Sequence, residues 1–226
     1  MDPEIVFENE NLVVLNKPAG LLMHSDGQGE ATLVDWLIVH FPEVTTVGDK
    51  PEERPGVVHR LDKDTSGIVL VPRNQKYFEY LKSLFAHGKI KKTYLAIVRG
   101  VPKEKGGIID TPISLKPGTT KRTVHGGKMT KSAITQYKVS KELKNASLLE
   151  VFPKTGRTHQ IRVHMASIGH PVLGDTLYGS KKNEEEAPRQ MLHAYSVELE
   201  LEPGKVVKFA ADPPGDFRAF LAKLEK

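Results

Sequence analysis

An α+β fold built on a mixed, mainly antiparallel sheet is what this sequence predicts. Three observations carry that expectation. Short strand-like runs separated by turn residues fill most of the chain, helical stripes are few, and successive runs lie close enough to pair as hairpins. The elements follow in order. Ile5–Phe7 and Leu12–Leu15 flank Glu8-Asn9-Glu10-Asn11, which reads as a hairpin with a short polar turn. Lys17-Pro18-Ala19-Gly20 breaks regularity, and Ser25–Glu30 is a glycine-bearing loop. Thr32 is placed to cap a helix carrying Leu33, Trp36, Leu37 and Phe41, which Pro42 closes. A polar, proline-bearing stretch runs from Val44 to Pro55, and the apolar run Ile68–Val71 should be a buried strand. Asn74 caps a second helix with Phe78, Leu81 and Phe85 on one face, and Gly88 sits where its stop belongs.

Thr93–Val98 is the next strand, with Tyr94, Ala96 and Val98 on one face by the two-residue period. Pro102 to Lys131 is rich in Gly, Lys, Thr and Pro and holds only short strand-like pieces. Ala133–Val139 and Ser147–Phe152 are strands. A third helix is expected from near Arg157 to Ile168, burying Ile161, Met165 and Ile168 and stopped by Gly169 and Pro171. Lys181–Pro188 reads as a charged, exposed loop. Val197–Leu201 and Val206–Ala210 close the sheet, and Phe217–Leu224 is a last helix. There is no internal repeat and no low-complexity tract.

With 226 residues the chain can bury one large core or two small lobes. The 38% apolar and 27% charged composition is that of a globular protein and excludes disorder. No apolar run approaches the roughly 20 residues of a membrane span, and the acidic, strand-patterned start is no secretory signal. The absence of cysteine removes disulfides, thiolate nucleophiles and most structural zinc sites, and fits a cytoplasmic protein. A net charge of +5 and a pI near 9.2 favour a polyanionic partner.

Chemistry concentrates in Gly56–Gly67. His59, Arg60, Asp62 and Asp64 crowd a loop braced by the strand that follows, a common way to position an active site. Spacing alone equally allows Asp62 and Asp64 to cap turns with Arg60 paired to one of them. Asp-x-Asp invites a metal-dependent phosphoesterase, since hard cations take carboxylate oxygens. Arg60 and Lys63 oppose it, and no third acidic ligand lies nearby; activity surviving excess chelator would exclude it. A two-carboxylate glycosidase lacks a partner of raised pKa for Asp62. The second cluster is Lys154–His164. On a helix, Arg162 lies about 60° from Met165, at the edge of the buried stripe, suited to a partly buried carboxylate partner. His159 and His164 stand about 140° apart and cannot share a metal; both read as ordinary hydrogen-bonded histidines. Tyr94 follows Lys91-Lys92-Thr93, and an aromatic beside lysines suits RNA, although a strand tyrosine is as readily core.

Together these runs resemble the RluA family of pseudouridine synthases. The resemblance lies in His59-Arg60-Leu61-Asp62-Lys63-Asp64-Thr65-Ser66-Gly67, in Lys92-Thr93-Tyr94 and in Gly156-Arg157-Thr158-His159-Gln160-Ile161-Arg162-Val163-His164. Leu15–Gly20, Gly169–Asp175 and Leu192–Ala194 add to it, in the family's order, from about Ile5 to Phe217. It implies a single catalytic domain over residues 1–226, two lobes around a central RNA-binding cleft, with no N-terminal S4 domain before it. It implies an isomerase of structured RNA (ribosomal, of the large subunit, or transfer RNA); nothing in the sequence suggests an obligate interface, so a monomer is expected, with no metal, cofactor, membrane or DNA partner. Asp62 would be the catalytic aspartate, Tyr94 would pack on the target uracil, and Arg162 would pair with Asp62. Arg60 would enter the RNA stack where the base leaves, with His59, Lys92, Arg157, His159 and Gln160 along the RNA. Base flipping costs a few kcal/mol, and an adjacent guanidinium favours the ionised carboxylate such chemistry needs. The remaining rival is a non-catalytic RNA-binding protein on the same fold, which leaves the retained Asp62 and Arg162 unexplained.

Overall fold

A computed structural model describes residues 2–25, 27, 29–179 and 187–226. Residues 181–186 of the expected charged loop, and Asp26 and Gln28 of the glycine-bearing loop, lie outside the described residues. The chain divides into two compact units, residues 1–91 with 194–212, and residues 92–193 with 213–226.

In the first unit β1 (Glu4–Glu8) and β2 (Leu12–Lys17) form the expected hairpin, and the Asn9 carboxamide closes its turn by accepting the Asn11 and Leu12 N–H groups. Helix α1 (Leu33–His40) starts at Thr32 with a full capping box to Asp35. Pro42 closes α1 as expected, and it also opens a short 3-10 helix (Pro42–Thr46) as its first residue, where its missing N–H is harmless. Strand β3 (Ser66–Pro72) is buried along its whole length and pairs antiparallel with β2. Helix α2 (Gln75–Ala86) is capped by Asn74, whose side chain accepts the Tyr77 N–H.

The second unit begins in β4 (Lys91–Arg99). β5 (Gly106–Asp110) is followed by three short strands, β6 (Ile113–Leu115), β7 (Arg122–Thr123) and β8 (Lys128–Lys131), which make a small sheet of their own in the order β7-β6-β8. β9 (Ile134–Leu143) and β10 (Ala146–Pro153) extend the main ladder β4-β10-β9-β5, all antiparallel. Alternation along β4 holds. Ala96 and Val98, with Tyr94 against them, pack on Ile161 and Met165 of α3 (Gln160–Ser167), while Leu95 and Ile97 face a separate core with Phe217 and Phe220.

The third helix corrects the expectation at both ends. It starts at Gln160, because His159 adopts a left-handed conformation (φ 56°, ψ 19°) that no helix continues. Ile168 caps its end and is 37% exposed, so it leaves the core to Ile161 and Met165. Strand β11 (Leu192–Glu202) leads back into the first unit and pairs antiparallel with β12 (Lys205–Ala210). Val197, Leu199 and Leu201 there complete a core with Leu12, Val14, Ile68, Leu70 and Leu81. Helix α4 (Gly215–Leu224) closes the second unit. The α+β, mainly antiparallel architecture is as the sequence predicts. Among the described residues no helix is long and apolar enough to cross a membrane.

Candidate active site

Asp62 lies on a loop without regular structure, half-buried, between exposed Arg60 and exposed Asp64. What makes the loop rigid is a set of bonds on either side of the carboxylate. Upstream, His59 Nε2 accepts the Leu70 backbone N–H at 2.8 Å, which fixes any ring proton to Nδ1, and the ring lies 4.9 Å from that of Phe85. Leu61 is buried beneath the loop. Downstream, the Thr65 N–H donates to the Asp62 carbonyl at 3.1 Å, and the Lys63 carbonyl accepts the Gly20 N–H at 2.9 Å.

The Lys63 carbonyl also accepts a hydrogen bond from Lys17 Nζ, at 2.9 Å. Lys17 is wholly buried at the end of β2, and its ammonium donates further to the carbonyls of Pro18 (2.9 Å) and Leu21 (2.7 Å). A buried ammonium is tolerated only when its donors are met. Here three backbone carbonyls meet them and tie two loops into one unit. Lys17→Met should leave those carbonyls buried without their donor, at about 1–3 kcal/mol for each that water cannot reach. Denaturant melting should therefore show one of the larger losses of stability for any single substitution in the first unit. A wild-type midpoint would remove Lys17 from the scaffold of the loop.

The Thr-Ser-Gly run that ends the loop has a steric reason as well. Gly67 has φ +113°, and a Cβ there would stand 2.2 Å from the Ala194 carbonyl oxygen, so only glycine lets β3 approach so closely. His24, which the sequence reading passed over, stands near Arg60. Burial, then the charges of Arg60 and Arg54, push its pKa below the ordinary value and favour the neutral ring.

In the second unit the expected site residues gather around residues 154–162. Tyr94 is half-buried on β4, and Lys92, two residues earlier, donates to the Thr155 carbonyl at 3.3 Å. Burial pulls the Lys92 ammonium down to about 8, so it still carries its charge at neutral pH. Gln160 departs from expectation. It is buried, its Oε1 accepts the Thr155 hydroxyl (2.7 Å) and the Arg157 N–H (3.0 Å), and its Nε2 donates to the Ile134 carbonyl and the Thr135 hydroxyl, both at 3.0 Å. These bonds make it the brace of the 154–160 loop. Arg157 Nε donates to the Ser132 carbonyl at 2.9 Å.

His159 holds its strained backbone with a side-chain bond, Nδ1 to the Tyr178 hydroxyl at 2.9 Å. His164 is fully buried. Its Nε2 meets the Thr111 carbonyl (2.9 Å), so it carries the proton there, and its Nδ1 accepts the Thr135 hydroxyl (2.8 Å). Burial lowers its pKa, and the ring is a neutral structural link. Arg162 was expected at the edge of a buried stripe; it is 7% exposed, because Gln160 to Met165 are buried in succession. It forms a two-pronged pair with Asp175, Nε–Oδ2 at 2.7 Å and Nη2–Oδ1 at 2.8 Å, and its Cζ lies 5.2 Å from the centre of the Tyr178 ring. Asp175, Tyr178 and Lys17, like His24, are residues that sequence reasoning left without roles. For Asp175 and Lys17 the only signal was membership of the resembling runs.

Residues 11–167 match the family model for RNA pseudouridylate synthase, and the chain belongs to that family. Among its relatives, the ribosomal large subunit pseudouridine synthase D of Zymomonas mobilis is 40% identical over 98% of this chain and 72% of its own length. The ribosomal large subunit pseudouridine synthase D of Borreliella burgdorferi is 35% identical over 98% of this chain and 68% of its own length. Of solved structures, the human RNA pseudouridylate synthase domain containing 1 superposes with a TM-score of 0.76 at 27% identity, covering 94% of this chain and 84% of that one.

Proposed function

We propose that this protein converts a uridine of large-subunit ribosomal RNA into pseudouridine, working on its RNA in the cytoplasm as a monomer. The observation that carries the reading is Asp62 held half-buried by His59 and Lys63 on either side, in a chain whose relatives from Zymomonas and Borreliella are named for that RNA. The reaction breaks the bond from N1 to C1′, turns the uracil and joins C5 to C1′, with the C5 proton leaving to solvent and N1 taking one up. Reactant and product share every atom, so no cofactor is required. The target base leaves its stack, Arg60 takes the vacated place and Tyr94 lies against the uracil. Arg162 pairs with Asp62, and an ionised carboxylate then acts at the sugar. Purified protein should release tritium from large-subunit RNA labelled at uridine C5, and pseudouridine should appear in that RNA in equal amount. No release, or release without pseudouridine in the RNA, would refute the reading.

The supply of positive charge supports an RNA partner. From Thr111 through Lys141 the chain has no Asp or Glu, and Lys116, Lys128 and Lys131 stand exposed on the small sheet β7-β6-β8 and its turn. Each phosphate neutralised contributes about 0.7–0.9 to the slope of log affinity against log salt. Replacing these three lysines by alanine should flatten that slope by about 2 in a titration monitored by anisotropy. An unchanged slope would place the RNA elsewhere.

A further inference from the structure

Asp175 has no part in the roles above, yet its side chain is wholly buried and its carboxylate accepts four hydrogen bonds. Oδ2 accepts Arg162 Nε at 2.7 Å, while Oδ1 accepts Arg162 Nη2 at 2.8 Å and the backbone N–H groups of Leu177 (2.9 Å) and Tyr178 (3.1 Å). The preceding Gly174 (φ +74°) is obligatory, since a Cβ would lie 1.9 Å from the Arg189 carbonyl oxygen. Backbone thus fixes the carboxylate from behind, and the carboxylate presents a fork to the guanidinium in front. Tyr178 lies on the guanidinium face at 5.2 Å, its own hydroxyl held by the Arg122 N–H (2.8 Å) and His159 Nδ1 (2.9 Å).

A bidentate carboxylate fixes both the plane of a guanidinium and its rotation within that plane, and a ring on one face removes the remaining tilt. A buried pair of this kind adds little net stability over an apolar pair of the same volume. Orientation is what it supplies. We propose that Asp175 is a positioning residue of the reaction: it takes the Nε–Nη2 edge of Arg162 and thereby fixes the direction in which the remaining Nη1 edge is presented. This rests on the reading that Arg162 serves the Asp62 carboxylate.

The test is a double-mutant cycle of Asp175→Asn and Arg162→Gln, with three readouts: single-turnover rate at saturating RNA, RNA affinity and thermal midpoint. Asp175→Asn keeps the shape of the side chain but turns a donor toward the guanidinium. Its rate should fall about 100-fold, the order that a misplacement near 1 Å produces, with affinity within about threefold of wild type. Arg162→Gln should lower both rate and midpoint, because it strands a buried carboxylate. In the double variant both charges are gone, so the midpoint should recover while the rate stays at the Arg162→Gln level. A rate that recovers with the midpoint would reduce Asp175 to a structural residue, and losses that multiply would show that it acts independently of Arg162. Either result overturns the proposal. The reading beneath it fails on a different result, conversion of uridine by the Asp62→Asn protein, so the two failures are told apart.

Discussion

Asp62→Asn should abolish conversion of uridine while leaving RNA binding and the fold in place. The substitution keeps the size and outline of the side chain and removes only its charge. Every step assigned to Asp62 needs that charge, whether the carboxylate adds to C1′ or takes a sugar proton. The expected loss in single-turnover rate is therefore about ten-thousandfold or more, the scale on which removing a reacting group acts. The loop should survive, because the bonds that hold it come from the His59 ring, the Lys63 carbonyl and the Thr65 N–H, none of which is the Asp62 side chain. Asp64→Asn should be mild, since Asp64 is exposed. Rates on tritiated RNA, with affinity measured in parallel, check both. An Asp62→Asn protein of near wild-type rate would end the assignment, and one that no longer binds RNA would move Asp62 from chemistry to recognition.

Local signals account for most of what the sequence revealed of the fold. Thr32 and Asn74 cap α1 and α2 because the bonds they make reach three residues ahead and need nothing else. The alternation of β4 was legible because its two faces meet two different cores. The start of α3 was not. His159 stops the helix by a left-handed turn that sequence would assign to glycine or asparagine, and the bond that holds it comes from Tyr178, nineteen residues away. The same distance in sequence hid the charged residues of the interior. Nothing local to Lys17 says that a carbonyl of residue 63 waits for it, and nothing local to Gln160 says that its four bonds are taken by 134, 135, 155 and 157. A dense polar motif announced the candidate residues; the buried side chains that brace them came to light only once the chain was folded.

The two arginines should separate in kinetics, because the structure gives them opposite surroundings. Arg162 is buried and clamped; Arg60 is exposed. Arg162→Ala removes the partner of a carboxylate with no exposed side-chain surface, Asp175, and such a loss costs about 3–5 kcal/mol. The protein should melt earlier and, where still folded, turn over at least about a hundredfold more slowly on every RNA. Arg60→Ala should leave the melting midpoint unchanged, since an exposed side chain contributes within about 0.5 kcal/mol. Its defect should depend on the substrate. On structured RNA the target base must be unstacked at a cost of a few kcal/mol, and on the role proposed for Arg60 its loss leaves the vacated space unfilled. On RNA whose target uridine is already unpaired, that cost is smaller, and the Arg60→Ala rate should approach wild type. Single-turnover rates for both variants on structured and loosened RNA decide the matter. If loosening the RNA restores Arg162→Ala and leaves Arg60→Ala slow, the two arginines have exchanged roles.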